Sequence, residues 1–392
     1  MLHMEAGEKI TRNALLISLS AFFADFGYQT VVASLPVLLV VVLHAPVYVF
    51  GIVVAVSYGL GAIFGYAGGL LSGRYGKKKV TIFGNLLIPI LSLSGLATSF
   101  YEASVLFTGG WLSRNFRSPA RRAMIDDEVS GKNRTAVYGF LNAMDVGGGV
   151  LSISVLLSLL YFGVGLRSII LLTAIPILFS SFLLFFVKER KEVSRAARKI
   201  RKNVGTRMRL NRNAFFGVII ATSLYGFSFY SLGFPILTVA RYSGNNSLGY
   251  LSYLFFLLGS ALFGYYVGRK RIAPAYGLGI LGYLLSGIAT ALLGISYLLN
   301  LGVVPMYLSI LLIGMGVGVI DTLEPSIISI VKAGDIGKGM GSLTASRSVG
   351  LLVGNVIMGV LYHFNPAYSY AYAAALSVAA ALIVIVFGRG IS

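Results

Sequence analysis

Long apolar stretches alternate with short polar connections along the whole chain. Twelve of them have about the twenty residues that a helix needs to cross the hydrocarbon core of a bilayer. They cover roughly 13–43, 48–72, 80–98, 103–122, 136–162, 168–187, 214–240, 248–267, 273–298, 303–326, 342–362 and 367–387. This pattern predicts an all-α integral membrane protein with twelve transmembrane helices. Since eleven stretches follow the first one, we expect it to be a spanning helix and not a cleaved signal peptide.

Charged residues are few, and the basic ones are unevenly placed. Only 11% of the residues are charged, although the formal net charge is +19; soluble domains have about 25% charged residues. Four connections, near 44–47, 99–102, 299–302 and 363–366, carry no Lys or Arg, while the alternate connections and the tails are basic. The positive-inside rule then predicts a multi-pass protein of the cell membrane with both termini in the cytoplasm. The basic excess indicates orientation beside lipid headgroups rather than nucleic-acid binding.

The longest polar stretch divides the sequence into two halves. It predicts an N-terminal six-helix bundle at 1–187, a basic cytoplasmic linker at 188–212 and a C-terminal six-helix bundle at 213–392. The halves resemble each other, since GLLSGRYGKKK (69–79) is matched by GYYVGRKRIAP (264–274), and GFLNAMDVGGG (139–149) by GSLTASRSVGL (341–351). Six-plus-six repeats are a transporter architecture, with the substrate site between the halves near the bilayer midplane.

The connection between the second and third stretches carries a family motif. It reads Gly69-Leu-Leu-Ser-Gly73-Arg74-Tyr75-Gly76-Lys77-Lys78. This resembles the Gly-x-x-x-Asp-Arg-x-Gly-Arg-Lys motif of the major facilitator superfamily, with Gly73 in place of the acid. The resemblance implies a transporter of two pseudo-symmetric six-helix bundles. It also implies a cytoplasmic latch in which Arg74 reaches Asp126 or Asp127.

Residues 113–145 are similar to a prokaryotic branch of that family whose members are presumed exporters. The matching residues are Arg117, Pro119, Arg121 and Asp145. We expect the arginines of this stretch, Arg114 and Arg122 included, to lie at the inner membrane boundary and to pair with the acids at 126–128. An anion-attracting vestibule is the alternative. The Gly-Pro antiporter signature is absent from the fifth stretch, which weakens the case for drug–proton antiport.

Four acids lie within the apolar stretches, where an ionisable group is costly and by default indicates function. They are Asp25, Asp145, Asp321 and Glu324. Asp25 lies near the middle of the first stretch, and Gln29 shares its helix face one turn later. Because a buried carboxylate without a partner tends to bind a proton, we predict that Asp25, Gln29 and Asp145 serve proton coupling or substrate binding. A structural hydrogen bond is the alternative.

In the alignment of the two halves, Asp145 corresponds to Arg347. Because these aligned positions carry opposite charges, we predict that each forms an ion pair that takes part in gating. The seventh and tenth stretches supply a second set of candidates, because in the family they line the cavity. The predicted substrate-cavity contacts are Tyr225, Phe229, Asp321 and Glu324. Ordinary packing would also explain the aromatic residues.

These observations together predict a secondary active transporter and not an enzyme. It would move a small solute by alternating access, coupled to protons, with export as the preferred direction. Proton-coupled uptake (symport) of a small metabolite or an organic anion stays open; an intramembrane lipid-modifying enzyme is a remote alternative, resting on the acids at 125–129 alone. We expect no cofactor, no metal and no nucleic-acid partner. The expected partners are a small-molecule substrate, protons and membrane lipid, and the expected state is a monomer.

Overall fold

The computed structural model describes residues 10–128, 134–188, 212–228, 231–269, 273–331 and 336–387. Its first part contains α1 (Arg12–Pro36), α2 (Val47–Tyr75), α3 (Lys77–Leu87), α4 (Phe100–Glu128), α5 (Arg134–Tyr161), α6 (Leu166–Leu172) and α7 (Ala174–Phe185). A π-helical segment, Val37–Val42, continues α1, and a 3-10 helix, Ile88–Leu96, continues α3.

The second part contains α8 (Arg212–Ser228), α9 (Gly233–Ser243), α10 (Asn246–Arg269), α11 (Leu285–Leu298), α12 (Val303–Val331), α13 (Ile336–Phe364) and α14 (Pro366–Phe387). A helical turn, Pro274–Tyr276, and a π-helical segment, Gly277–Leu284, precede α11. The predicted all-α membrane fold is confirmed. Among the described residues, eleven helical stretches are long and apolar enough to cross a membrane. The predicted fourth span lies within α4, which has 29 residues but carries arginines along its middle.

Local chemistry explains where several helices end. Pro89 lies at the start of the 3-10 helix, where its missing N–H removes one hydrogen bond of the α-helical ladder. Gly76 separates α2 from α3 with a φ of 98°, a backbone conformation that a residue without Cβ adopts at little cost. This glycine makes the tight joint between two membrane helices.

The chain packs as two compact units. Unit 1 comprises Met1–Leu38 and Leu60–Ser194, and unit 2 comprises Leu39–Gly59 and Arg195–Ser392. Helix α2 therefore contributes its first half to unit 2 and its second half to unit 1. Residues 189–211 of the predicted linker lie outside the described residues, and the domain boundaries at 187 and 213 stay a prediction.

In unit 1, α1 packs against α5 and α7, and α4 packs against α3 and the 3-10 helix. Small residues permit these close approaches. A Cβ added to Gly148 of α5 would meet the carbonyl oxygen of Phe22 and lie 3.1 Å from the Cβ of Asp25. This glycine is why α5 reaches the acid in the middle of α1.

In unit 2, α10 packs against α12, α8 against α13 and α14, and α11 against α12 and α14. Gly226 and Gly350 mark the crossing of α8 and α13, where a Cβ on Gly350 would lie 2.6 Å from the Cα of Gly226. Residues 39–59 belong to this unit as well: the ring of Phe50 lies 5.0 Å from that of Phe234.

Candidate functional site

Unit 1 buries a carboxylate at the middle of α1. Asp25 is only 4% exposed, and Tyr28, three residues later, donates its hydroxyl hydrogen to Oδ1 of Asp25. The second oxygen, Oδ2, is buried and has no hydrogen-bond partner in the part of the chain that the structure describes. Gln29, the predicted companion, is half-buried. Asp25 therefore keeps one oxygen able to accept a proton.

Tyr28 links Asp25 to α4. Its hydroxyl accepts a hydrogen bond of 3.1 Å from Nη2 of Arg114. The guanidinium carbon of Arg114 also lies 5.0 Å from the ring centroid of Tyr28 and 4.8 Å from that of Trp111. The cation is thus held by two aromatic faces and joined to the acid through one hydroxyl.

Two further arginines continue along the same face of α4, three and seven residues after Arg114. Arg117 is 1% exposed and donates from Nη1 to Oδ1 of Asn85. Arg121 is 6% exposed, and its Nη2 lies 3.4 Å from Oδ2 of Asp145 on α5. The expected pairing of these two arginines with the acids at 126–128 is corrected here. Their guanidinium groups bond Asn85 and Asp145 instead. Glu128 accepts hydrogen bonds from Thr11 and Asn13, and Asp127 pairs with Lys77.

Unit 2 contains a second buried acid, Glu324 of α12, which is 1% exposed. Its Oε1 accepts hydrogen bonds from the hydroxyls of Tyr283, at 2.5 Å, and Thr222, at 3.2 Å. Its Oε2 lies 3.6 Å from Nη2 of Arg347 on α13. Nη1 of the same arginine lies 3.0 Å from Oδ1 of Asp321, whose side chain is 55% exposed. One guanidinium is therefore shared between a buried and an exposed carboxylate.

The ion pairs of the two units have reversed polarity. In unit 1 the cation, Arg121, is on α4 and the acid, Asp145, is on α5; in unit 2 the acid, Asp321, is on α12 and the cation, Arg347, is on α13. Each residue of one pair lies about 200 positions from its opposite charge in the other, close to the repeat offset. The role of these pairs in gating stays a prediction.

Tyr225 of α8 lines a cavity within unit 2. Its ring lies 4.7 Å from that of Tyr283. The cavity is small and its lining is mostly apolar, with hydroxyl groups from Ser228, Ser286, Thr290 and Ser377. Phe229, the other aromatic residue predicted for the substrate cavity, lies outside the described residues.

At the joint between α2 and α3, Nζ of Lys77 lies 2.6 Å from Oδ1 of Asp127. The guanidinium carbon of Arg74 lies 5.5 Å from the ring centroid of Tyr75, and Asp126 is exposed. A Cβ on Gly73 would meet no atom within 4 Å, whereas one on Gly69 would lie 3.7 Å from Cβ of Pro119. Asp127 is thus bonded by Lys77, and the latch role of Arg74, Gly69, Gly73 and Gly76 stays a prediction.

Sequence reasoning missed four polar residues that contact the charged groups. They are Tyr28, Asn85, Thr222 and Tyr283. Tyr28 could have been found from its spacing to Asp25, because residues three apart share a helix face. Asn85 and Tyr283 carried only a weak signal as polar groups inside apolar stretches.

The sequence matches a known family and one curated relative. A sequence model of the Major Facilitator Superfamily matches residues 17–331. An uncharacterized MFS-type transporter of Methanocaldococcus jannaschii is 22% identical over 400 residues, covering 97% of this chain and 96% of that protein.

Solved structures match over nearly the full length. A D-xylose-proton symporter aligns with a TM-score of 0.74 and 16% identity, covering 95% of this chain and 96% of that one. A POT family transporter in complex with a thioalcohol-conjugated peptide aligns with a TM-score of 0.74 and 14% identity, covering 97% of both chains. A mutant form of the nucleoside transporter NupG aligns with a TM-score of 0.72 and 13% identity, covering 97% of this chain and 100% of that one. At these identities the likeness concerns the fold alone.

Proposed function

Since this chain belongs to the major facilitator superfamily and is therefore a membrane transporter, we propose that it is a secondary active transporter driven by protons that bind at Asp25. It moves a small solute across the cytoplasmic membrane by alternating access, with both termini in the cytoplasm. The observation that carries this proposal is the state of Asp25: nearly fully buried, bonded at one oxygen and without a partner at the other among the described residues.

A buried carboxylate in this condition favours proton binding on physical grounds. Ionised, it is desolvated and one oxygen lacks a hydrogen bond, which is costly in a medium of low polarity. A proton on Oδ2 removes the charge without disturbing the Tyr28 contact at Oδ1. Arg114, which shares Tyr28 with the acid, is the group through which the proton would change the substrate site.

A proton gradient can drive a solute either out of the cell or into it. Export is supported by the resemblance of residues 113–145 to presumed exporters. Uptake with protons is the second candidate, and it is supported by the similar fold of a protein described as a D-xylose-proton symporter. The observation that favours uptake is the direct contact chain from Asp25 through Tyr28 to Arg114, because a proton and an anionic solute would then act on one cluster.

The test is transport in reconstituted liposomes under an imposed pH gradient, with a pH-sensitive dye inside and a panel of small solutes outside. We expect Asp25→Asn to abolish gradient-driven movement of the responsive solute while leaving its exchange down its own gradient. Glu102→Gln is the matched control, since Glu102 is exposed and bonded to the Thr98 backbone at 2.8 Å. Proton-driven flux of unchanged size in Asp25→Asn would overturn the proposal.

A further inference from the structure

The polar cluster of unit 1 carries more positive than negative charge. Among the residues that the structure describes, it contains three arginines, Arg114, Arg117 and Arg121, and two acids, Asp25 and Asp145. With all five groups ionised, the cluster has a net charge of +1 inside the membrane-spanning part of the protein. Excess charge in such a place is costly unless an ion of opposite sign binds.

Hydrogen-bond donors within the cluster are also left over. Nε and Nη1 of Arg121 and Nε of Arg117 are buried and have no hydrogen-bond partner among the described residues. A guanidinium presents its N–H groups in a fixed planar fork that matches a carboxylate or a phosphate. Two carboxylate oxygens of the cluster, Oδ2 of Asp25 and Oδ1 of Asp145, also lack a partner among the described residues, but they are fewer than these three N–H donors. The excess of unused donors, two of them on an arginine that is 6% exposed, points to an anion.

We propose that Arg114 and Arg121 hold the anionic group of the transported solute, a carboxylate or a phosphate, and that Asp25 competes with this group for the same cations. The proposal rests on the proton role of Asp25 proposed above, and it selects uptake with protons over export. Arg117 is a positioning residue, since its Nη1 is already held by Asn85 on α3.

Competition explains how a proton and an anion become coupled. The charged or titratable groups that face Asp25 are Tyr28 of its own helix, Arg114, Arg117 and Arg121 of α4, and Asp145 of α5. Ionised Asp25 supplies a negative charge to the arginines and occupies the hydroxyl hydrogen of Tyr28. Protonation removes that charge, so the anion binds more tightly; by linkage, the bound anion favours the proton. Binding of both together is the condition for symport.

Trp111 offers a direct reporter of this site. It is the only tryptophan in the chain, and the guanidinium of Arg114 lies 4.8 Å from its ring. The experiment titrates purified full-length protein with butyrate, succinate and inorganic phosphate while tryptophan emission is recorded. Butyramide, which has the shape of butyrate without its charge, is the neutral control.

We expect a saturable change in emission with at least one anion and none with butyramide. Arg121→Gln should weaken the affinity about tenfold or more, because a hydrogen bond to a charged group is lost. Arg121→Lys, which keeps the charge without the planar fork, should give an intermediate affinity. The matched control is Arg241→Gln, which replaces an exposed cation of unit 2. This variant should bind the anion with the affinity of the wild type. Each variant is first checked for a single folded species by size-exclusion chromatography.

The dependence on pH separates the two proposals. In the wild type the anion affinity should rise as pH falls, by at most about tenfold per pH unit for one linked proton. Asp25→Asn should bind tightly at every pH, since asparagine resembles the protonated acid. Absence of any anion response, or an equal response to butyramide, overturns the anion site even if Asp25 still couples transport. Anion binding that ignores pH in the wild type upholds the site and overturns the proton role of Asp25.

Discussion

Replacing Arg347 with glutamine removes the cation that Glu324 and Asp321 share among the described residues. Glu324 is 1% exposed and would keep a buried charge with two hydroxyl donors and no cation among the described residues. Removing one partner of a buried ion pair costs about 3–5 kcal/mol in the free energy of unfolding. The contact with Asp321, whose side chain is 55% exposed, adds at most about 1 kcal/mol. We therefore expect Arg347→Gln to cost about 3–5 kcal/mol, with Glu324 responsible for most of that loss.

A double-mutant cycle tests the assignment. Glu324→Gln in the Arg347→Gln background removes the stranded charge and keeps an oxygen for Tyr283 and Thr222, so most of the loss should be recovered. Asp321→Asn alone should cost less than about 1 kcal/mol. Unfolding is followed by circular dichroism in one detergent at neutral pH. If the double variant is as unstable as Arg347→Gln, or if Asp321→Asn costs as much, the reasoning is refuted.

Two further predictions concern packing in unit 1. Asn85→Ala should cost about 1–3 kcal/mol in the free energy of unfolding, because Arg117 loses its hydrogen-bond acceptor. The control Asn246→Ala, at an exposed asparagine, should change the free energy of unfolding little. Equal effects of the two substitutions would contradict the role of Asn85. Gly68→Ala should lower the free energy of unfolding by about 1–3 kcal/mol, since the new Cβ would overlap the carbonyl oxygen of Phe116. Gly73→Ala has open space around the new Cβ and should raise the free energy of unfolding by up to about 1 kcal/mol through helix propensity. Thermal unfolding of the two glycine variants should move in opposite directions, and a shift of the same sign in both would show that the local packing is misjudged.

Span positions were predictable from the sequence because they depend on one strong property, the length of apolar runs. The acids were predictable as candidates for the same reason, since a carboxylate stands out in apolar sequence. The residues that pair with these acids were not predictable from the sequence. The sequence brings Asp145 and Arg121 within 24 positions, but whether they meet depends on how α4 and α5 are rotated, and that is set by contacts such as Gly148 against α1.

Irregular helical segments were also beyond the sequence pattern. The run 13–43 predicts one continuous helix, yet its last turns, Val37–Val42, are π-helical. Apolar periodicity does not distinguish these turns, because all residues of Val37–Val42 are hydrophobic. The proline at 89 did give a local signal for the 3-10 helix, through its missing N–H; the extent of that helix to Leu96 depends on tertiary packing.

The segment 39–59 has a consequence for how this protein can be divided. Its Phe50 packs on Phe234, and a Cβ on its Gly51 would lie 2.6 Å from the carbonyl oxygen of Asn355. A chain cut within 188–212 would yield a second fragment that lacks this segment and leaves those surfaces bare. Split halves should consequently be recovered in folded form only when both are synthesised together. Unit 2 thus takes part of its interior from the N-terminal half of the sequence, and the two halves that the internal repeat predicts do not each contain a complete unit.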